Sequence, residues 1–148
     1  MHRKRAIDRI SEYSSSAIAK GEVGAVEAVR AYLARIESVN PRVNAVTNVL
    51  KETALEAARE VDRKRAAGDE LGPLAGVPFT VKENIDVAGS ATTHGVPALR
   101  QAMPSADAPI VERLRRAGAI AIGRTNLPDF SMRFHTSSQL YGDTINLA

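Results

Sequence analysis

Gly72-Pro73-Leu74-Ala75-Gly76-Val77-Pro78-Phe79-Thr80-Val81-Lys82-Glu83-Asn84-Ile85 marks a change of character: helical periodicity precedes it, and alternation takes over within it. Val77, Phe79 and Val81 alternate with Pro78, Thr80 and Lys82, which is the pattern of a strand. A lysine at the end of such a run is costly unless it is paired, solvated or used. Burial disfavours the charged form of an amine, and a neutral amine is a base. Lys82 is therefore the first candidate for chemistry. The plainer alternative is a strand-end lysine whose stem lies on apolar surface while its head reaches water. Beyond it, Glu83 and Asp86 resemble an acidic pair for acid–base work but are expected to face solvent in the turn or to help order it, Asn84 to hydrogen-bond locally, and Gly76 and Gly89 to bracket the segment.

Upstream of this stretch the chain reads as helices. Ala6 to Lys20 forms a short one, with Ile7, Ile10, Ala17 and Ile18 on one side and Gly21 as its cap. Val26, Val29, Leu33 and Ile36 follow helical spacing, and Pro41 is expected to end that element. Ala45 to Leu50 reads as a short extended piece. Lys51 to Ala67 is the strongest helix, with Ala54, Leu55, Ala58 and Val61 as its apolar stripe and Gly68 as its stop. Downstream, Gly89 to Gln101 reads as an irregular loop rich in Gly, Ser, Thr and Pro. Asp107 to Ala117 reads as a helix, capped by Asp107, with Pro109 in its first turn and Ile110, Val111 and Leu114 facing inward. Gly118 ends it, and Ala119 to Gly123 is a second apolar strand. Strand, helix and strand at this spacing predict a parallel βαβ unit, after which ligands are commonly placed.

At 148 residues the chain has the size of one domain with a real core. Residues 1–148 are accordingly read as one domain, a helical arm over 1–70 followed by a lysine-bearing α/β segment over 71–148. Aromatic residues make up 4% and Trp is absent, so the core must rely on Ala, Val, Ile and Leu. The absence of Cys excludes disulfides, thiolate zinc sites and a cysteine nucleophile. His2, His94 and His135 are scattered without metal-ligand spacing, so no histidine metal site is expected. The net charge of +3 comes partly from Arg3-Lys4-Arg5, and elsewhere basic residues are interspersed with acids. Neither a dense basic stripe nor stacking aromatics is present, so nucleic acid is not an expected partner. No apolar run is long enough to span a membrane and no signal-peptide core follows the basic N-terminus, so no membrane partner is expected and the expected location is the cytoplasm.

Gly76-Val-Pro-Phe-Thr-Val-Lys-Glu-Asn-Ile-Asp-Val-Ala-Gly89 resembles the catalytic-lysine segment of the amidase signature enzymes. The resemblance continues in order through Ser90-Ala-Thr-Thr93, Asp107 to Ile120, Gly123-Arg-Thr-Asn-Leu-Pro-Asp-Phe-Ser-Met132 and Tyr141-Gly-Asp-Thr-Ile-Asn146. Upstream, Ala34-Arg-Ile-Glu-Ser-Val-Asn-Pro41 is similar to the family's second helix. A single motif would be weak, whereas an ordered series is specific.

The resemblance implies an α/β/α sandwich with a mixed sheet, of which this chain is the N-terminal helical arm and first βαβ part, an incomplete fold. It implies hydrolysis of a small-molecule amide to carboxylate and ammonia by a Ser–Ser–Lys triad, with Lys82 as the triad lysine. Ser131 and Met132 would lie along one wall of the substrate pocket, with Phe134 a weaker candidate beside them. Each of these could instead pack against the second strand. Three features depart from the family pattern. The family's Gly-Gly-Ser-Ser-Gly-Gly segment and its nucleophilic serine follow the Tyr-Gly…Asn stretch, and neither is in this sequence. Leu147-Ala148 stands where relatives read Pro-Trp, as either a frameshift or an artificial cut in the sequence would leave it, and Ser138 stands where many carry Asn. Neither Ser14-Ser15-Ser16 nor Ser137-Ser138 has the flanking glycines that would let backbone approach a developing oxyanion. The chain alone is therefore expected to be inactive. Two other jobs remain open: part of the amidase component of an amidotransferase, or a non-catalytic binding module. An open sheet edge and an uncovered apolar face would also favour self-association or a complementing chain.

Overall fold

A computed structural model describes residues 15–146. Ile7, Ile10 and Ser14, together with Leu147 and Ala148, lie outside the described residues. The described part of the first expected helix is α1 (Ser15–Ala19), which buries Ala17 and Ile18. It is followed by α2 (Ala25–Val43), β1 (Val46–Val49), α3 (Lys51–Ala67), β2 (Pro78–Lys82), α4 (Pro109–Arg116) and β3 (Ile120–Thr125). A short hairpin of β4 (Ser137–Ser138) and β5 (Gly142–Asp143) comes last. The three longer strands form one sheet in the order β1-β3-β2. β1 is antiparallel to β3, with Val46 opposite Thr125 and Val49 opposite Gly123. Along β2 and β3 the backbone bonds advance together: Ile120 N–H donates to Val77 O at one end, and Glu83 N–H donates to Thr125 O at the other. That is parallel pairing, joined through α4 as a βαβ unit, and the sheet is mixed. Among the described residues no helix is long and apolar enough to cross a membrane.

The chain divides into two compact units, interleaved along the sequence. The first comprises residues up to Arg35, Leu50–Phe79 and Leu114–Ile122. Its core is the stripe Ala54, Leu55, Ala58 and Val61 on α3 together with Ala25, Ala28, Val29 and Leu33 on α2, all buried. This is the small-residue core that the composition requires. Asp62 on α3 accepts from the Ala25 and Val26 N–H groups (2.8 and 3.1 Å), and so satisfies two of the otherwise open donors at the start of α2. Arg65, one turn on, donates to Ile18 O and Val23 O, both at 3.1 Å. Gly68, with φ of 77°, closes α3 as expected.

The second unit holds Ile36–Val49, Thr80–Arg113 and the residues from Gly123 onward. Here Pro41 does not end α2. The helix runs on to Val43, and Asn44 N–H still donates to Asn40 O (2.7 Å). Proline forfeits one hydrogen bond, and near the end of a helix that single loss is not enough to break it. The actual stop is Asn44, in the left-handed region with φ of 52°, aided by Asn40, whose side chain bonds Ala45 and Val46. α4 also differs from expectation. Val111 is 1% exposed, but Ile110 is 59% exposed and does not face inward. Asp107 accepts from Ala88 N–H (2.8 Å), tying the loop after β2 to the entry of α4.

Candidate active site around Lys82

Lys82 closes β2 with its side chain exposed. The strand's alternation carries one residue further than its apolar letters suggest: Val81 and Glu83 are buried, at 3% and 1% exposure, while Thr80 and Lys82 are exposed. Glu83 therefore does not face solvent, the first of the two expectations for it, because its position gives it the inward direction of Val81. Its carboxylate accepts from Thr47 Oγ1 (2.6 Å), Thr93 Oγ1 (2.8 Å) and, more weakly, Thr93 N–H (3.5 Å). A carboxylate is tolerated in such a place only with partners of this kind.

Arg124 on β3 is fully buried, and its sequence signal was its place at the end of an apolar strand within one of the segments that resemble the family. Nη1 donates to Ser90 Oγ (3.2 Å), Ala91 O (3.1 Å) and Ser90 O (3.5 Å). Nη2 donates to Lys82 O (3.2 Å) and Ile85 O (2.8 Å). Burial pulls the guanidinium pKa below its ordinary value, and the Glu83 carboxylate is the chief influence opposing that fall. The Glu83 carboxylate thus favours the charged form of the buried guanidinium.

Tyr141 joins the same network. Burial pushes its phenol above the ordinary pKa; a hydrogen bond with Thr93 works against this, and the Glu83 carboxylate adds to it. A raised phenol pKa has a definite sign for stability. Below about pH 10 the group is neutral in both states; above that, the unfolded chain releases the proton first, so rising pH favours unfolding. Tyr141→Phe is expected to remove this share of the alkaline loss. Urea unfolding at about pH 8 and about pH 10.5 checks this, and an undiminished loss in the variant would contradict it.

Asn84 does not bond locally. Its Nδ2 donates to Ser131 Oγ (3.2 Å), which brings Ser131 to the turn that follows Lys82. The loop carrying Ser131 has two successive residues in the left-handed region, Phe130 and Ser131, with φ of 50° and 60°. That conformation is uncommon for a bulky side chain. Phe130 N–H donates to His94 O (2.9 Å), and the two rings lie 5.7 Å apart. Met132 is 82% exposed and stands in solvent, as do Phe134 and His135, rather than packing against β3. Ser138 is buried; its Oγ donates to Asn126 Oδ1 and accepts from Tyr141 N–H, both at 3.1 Å. Ser90 is likewise occupied by Arg124. Among the described residues no cluster of His, Cys, Asp or Glu could hold a metal ion.

The arrangement is an exposed amine at the carboxyl end of a parallel strand, on a rigid buried base, with a hydroxyl-bearing loop tied to the same turn. Such ends are where α/β folds take ligands. A family model described as Amidase matches residues 27–147. Indoleacetamide hydrolase of Bradyrhizobium diazoefficiens is 49% identical over 133 residues, covering 90% of this chain and 25% of that protein. A glutamyl-tRNA(Gln) amidotransferase subunit from Salinispora tropica is 46% identical over 87% of this chain and 26% of its own length. The structure of the native peptide amidase from Stenotrophomonas maltophilia superposes with a TM-score of 0.81 at 37% identity, covering 88% of this chain and 28% of that one. The chain spans about a quarter of the length of the relatives it matches. By its sequence from residue 27 to residue 147, this chain belongs to the amidase family.

Proposed function

We propose that this chain supplies the lysine of an amide hydrolase that converts a small amide to its carboxylate and ammonia through an acyl-serine intermediate. The observation that carries the reading is Lys82, presented to solvent at the carboxyl end of β2 within a segment that matches the amidase family in order. In this mechanism the amine of Lys82, when neutral, takes a proton from a bridging serine. That serine in turn deprotonates the nucleophile, and Lys82 later returns the proton to the leaving nitrogen. Ser131 and Met132 are assigned to the wall of the amide pocket, an assignment supported for Ser131 by its bond to Asn84. Action in the cytoplasm, without cofactor or metal, belongs to the same reading.

The 148 residues alone are expected to show no turnover, because the bridging serine and the nucleophile are not among them. The test is a chimaera in which residues 27–147 replace the matching segment of the Bradyrhizobium relative. It is expected to hydrolyse indoleacetamide, the amide in that relative's name. Lys82→Ala is expected to lower kcat/KM by roughly 10²-fold or more. A folded Lys82→Ala chimaera with undiminished turnover would end the proposal.

A second reading keeps the lysine and changes the fate of the ammonia, which a partner would accept; the Salinispora relative favours it. Ammonia transfer from a glutamine donor to a charged tRNA separates the two. Self-association or pairing with a complementing chain fits either reading, supported by the exposure of Phe130, Met132, Phe134 and Ile145.

A further inference from the structure

We infer that Arg124 is a positioning residue for Lys82, clamping the turn that carries the lysine onto β3 from beneath. This deepens the proposed function and rests on it for its catalytic meaning, but the clamp itself stands on geometry alone. Among the described residues, all five acceptors of the guanidinium lie between residues 82 and 91, the segment that leaves β2. One nitrogen holds the Lys82 and Ile85 carbonyls, the two ends of a turn closed by Ile85 N–H donating to Lys82 O (3.0 Å). The other holds Ser90 and Ala91, where the loop comes back. The planar fork of arginine can address two such groups at once, which a lysine ammonium cannot do in the same geometry.

A buried guanidinium spent on neutral carbonyls is an expensive way to fill a strand position. An apolar residue there would avoid the desolvation of a charge and of its Nε, which has no partner among the described residues. What the arginine supplies that an apolar side chain cannot is a fixed path for the backbone on both sides of Lys82. Glu83, buried next to Lys82 in sequence, supplies the opposite charge that makes the clamp tolerable. Positional errors of about 1 Å at a reacting group can cost on the order of 10²-fold in rate, so a device that holds a base at a strand end has a use.

The test is amide hydrogen exchange on the full 148-residue chain, read residue by residue. In the wild type the Ile85 amide is expected to be protected. In Arg124→Gln it is expected to exchange roughly tenfold faster or more, while amides of α3 keep their rates. Arg124→Lys is expected to restore part of that protection, since it can still donate to the Lys82 carbonyl. A merely structural loss would instead accelerate exchange throughout, with no rescue by lysine. If both variants fail to fold, Ser90→Ala removes one acceptor and is expected to loosen the same turn to a smaller degree. An Ile85 amide that exchanges in the wild type as fast as an open loop would overturn the clamp, as would unchanged protection in folded Arg124→Gln. Lys82→Ala is expected to leave the clamp's protection in place. An inactive base and an absent clamp are thereby told apart: the first is read in the chimaera's turnover and the second in exchange.

Discussion

Replacing Glu83 with alanine is expected to destabilise the chain by about 3–5 kcal/mol, set mainly by the loss of two hydrogen bonds to a carboxylate at about 1.5–3 kcal/mol each. Three terms act together. Thr47 and Thr93 lose the carboxylate that accepts from their hydroxyls at 2.6 and 2.8 Å. The fully buried Arg124 loses the main opposite charge near it. The vacated side-chain volume adds a cavity cost. Glu83→Gln is expected to cost less, because its amide oxygen can still accept from a threonine while the charge is lost. Urea unfolding of the three proteins measures the difference. A loss below about 1 kcal/mol in Glu83→Ala would mean that the carboxylate is not the hub of this network.

The second large effect is expected at Gly118, between α4 and β3. Its φ is 93°, and a Cβ there would lie 2.8 Å from Ala75 Cα and 3.1 Å from Ala75 N. Those atoms are backbone and cannot swing aside. The backbone here is also tied down, since Gly118 N–H donates to Arg115 O and Gly118 O accepts from Gly76 N–H. Gly118→Ala is expected to cost about 2–5 kcal/mol, combining a strained backbone with overpacking. Gly68→Ala is the internal control. Its φ of 77° carries a similar backbone penalty, but nothing among the described residues lies within 4 Å of the added carbon. Thermal melts are expected to place the Gly118 variant well below the Gly68 variant. Equal losses would show that the close approach to Ala75 is relieved at little cost.

The residues themselves explain why some features were legible and others were not. The Lys51–Ala67 helix could be read to the residue because propensity, an apolar stripe and a capping glycine agree there. β2 and β3 were legible for the same reason, and the spacing between them required a crossover and hence parallel pairing. Pro41 misled because a helix-breaking residue loses its force in a last turn. Ile110 misled because an eight-residue helix offers only one narrow inward face, and Val111 occupies it. Glu83 was missed because an acidic letter reads as solvent-facing, although the alternation of β2, extended by one residue, already pointed it inward. Asn84 bonds Ser131 across 47 positions, a partnership that no local pattern announces.

By itself the sequence determined the order and type of the longer elements, the small-residue core and the strand-end place of Lys82, because periodicity and turn chemistry are local properties, whereas it carried no sign of the β4–β5 hairpin. Its ordered motifs were enough to reach the family. Only the tertiary structure decided that Lys82 points to solvent over two buried opposite charges, with Arg124 gathering the carbonyls of residues 82–91. The physical reason is burial. A charge is costly inside a fold unless distant parts of the chain converge on it, and that convergence of β1, β3, the loop after β2 and Tyr141 exists only once the chain has folded.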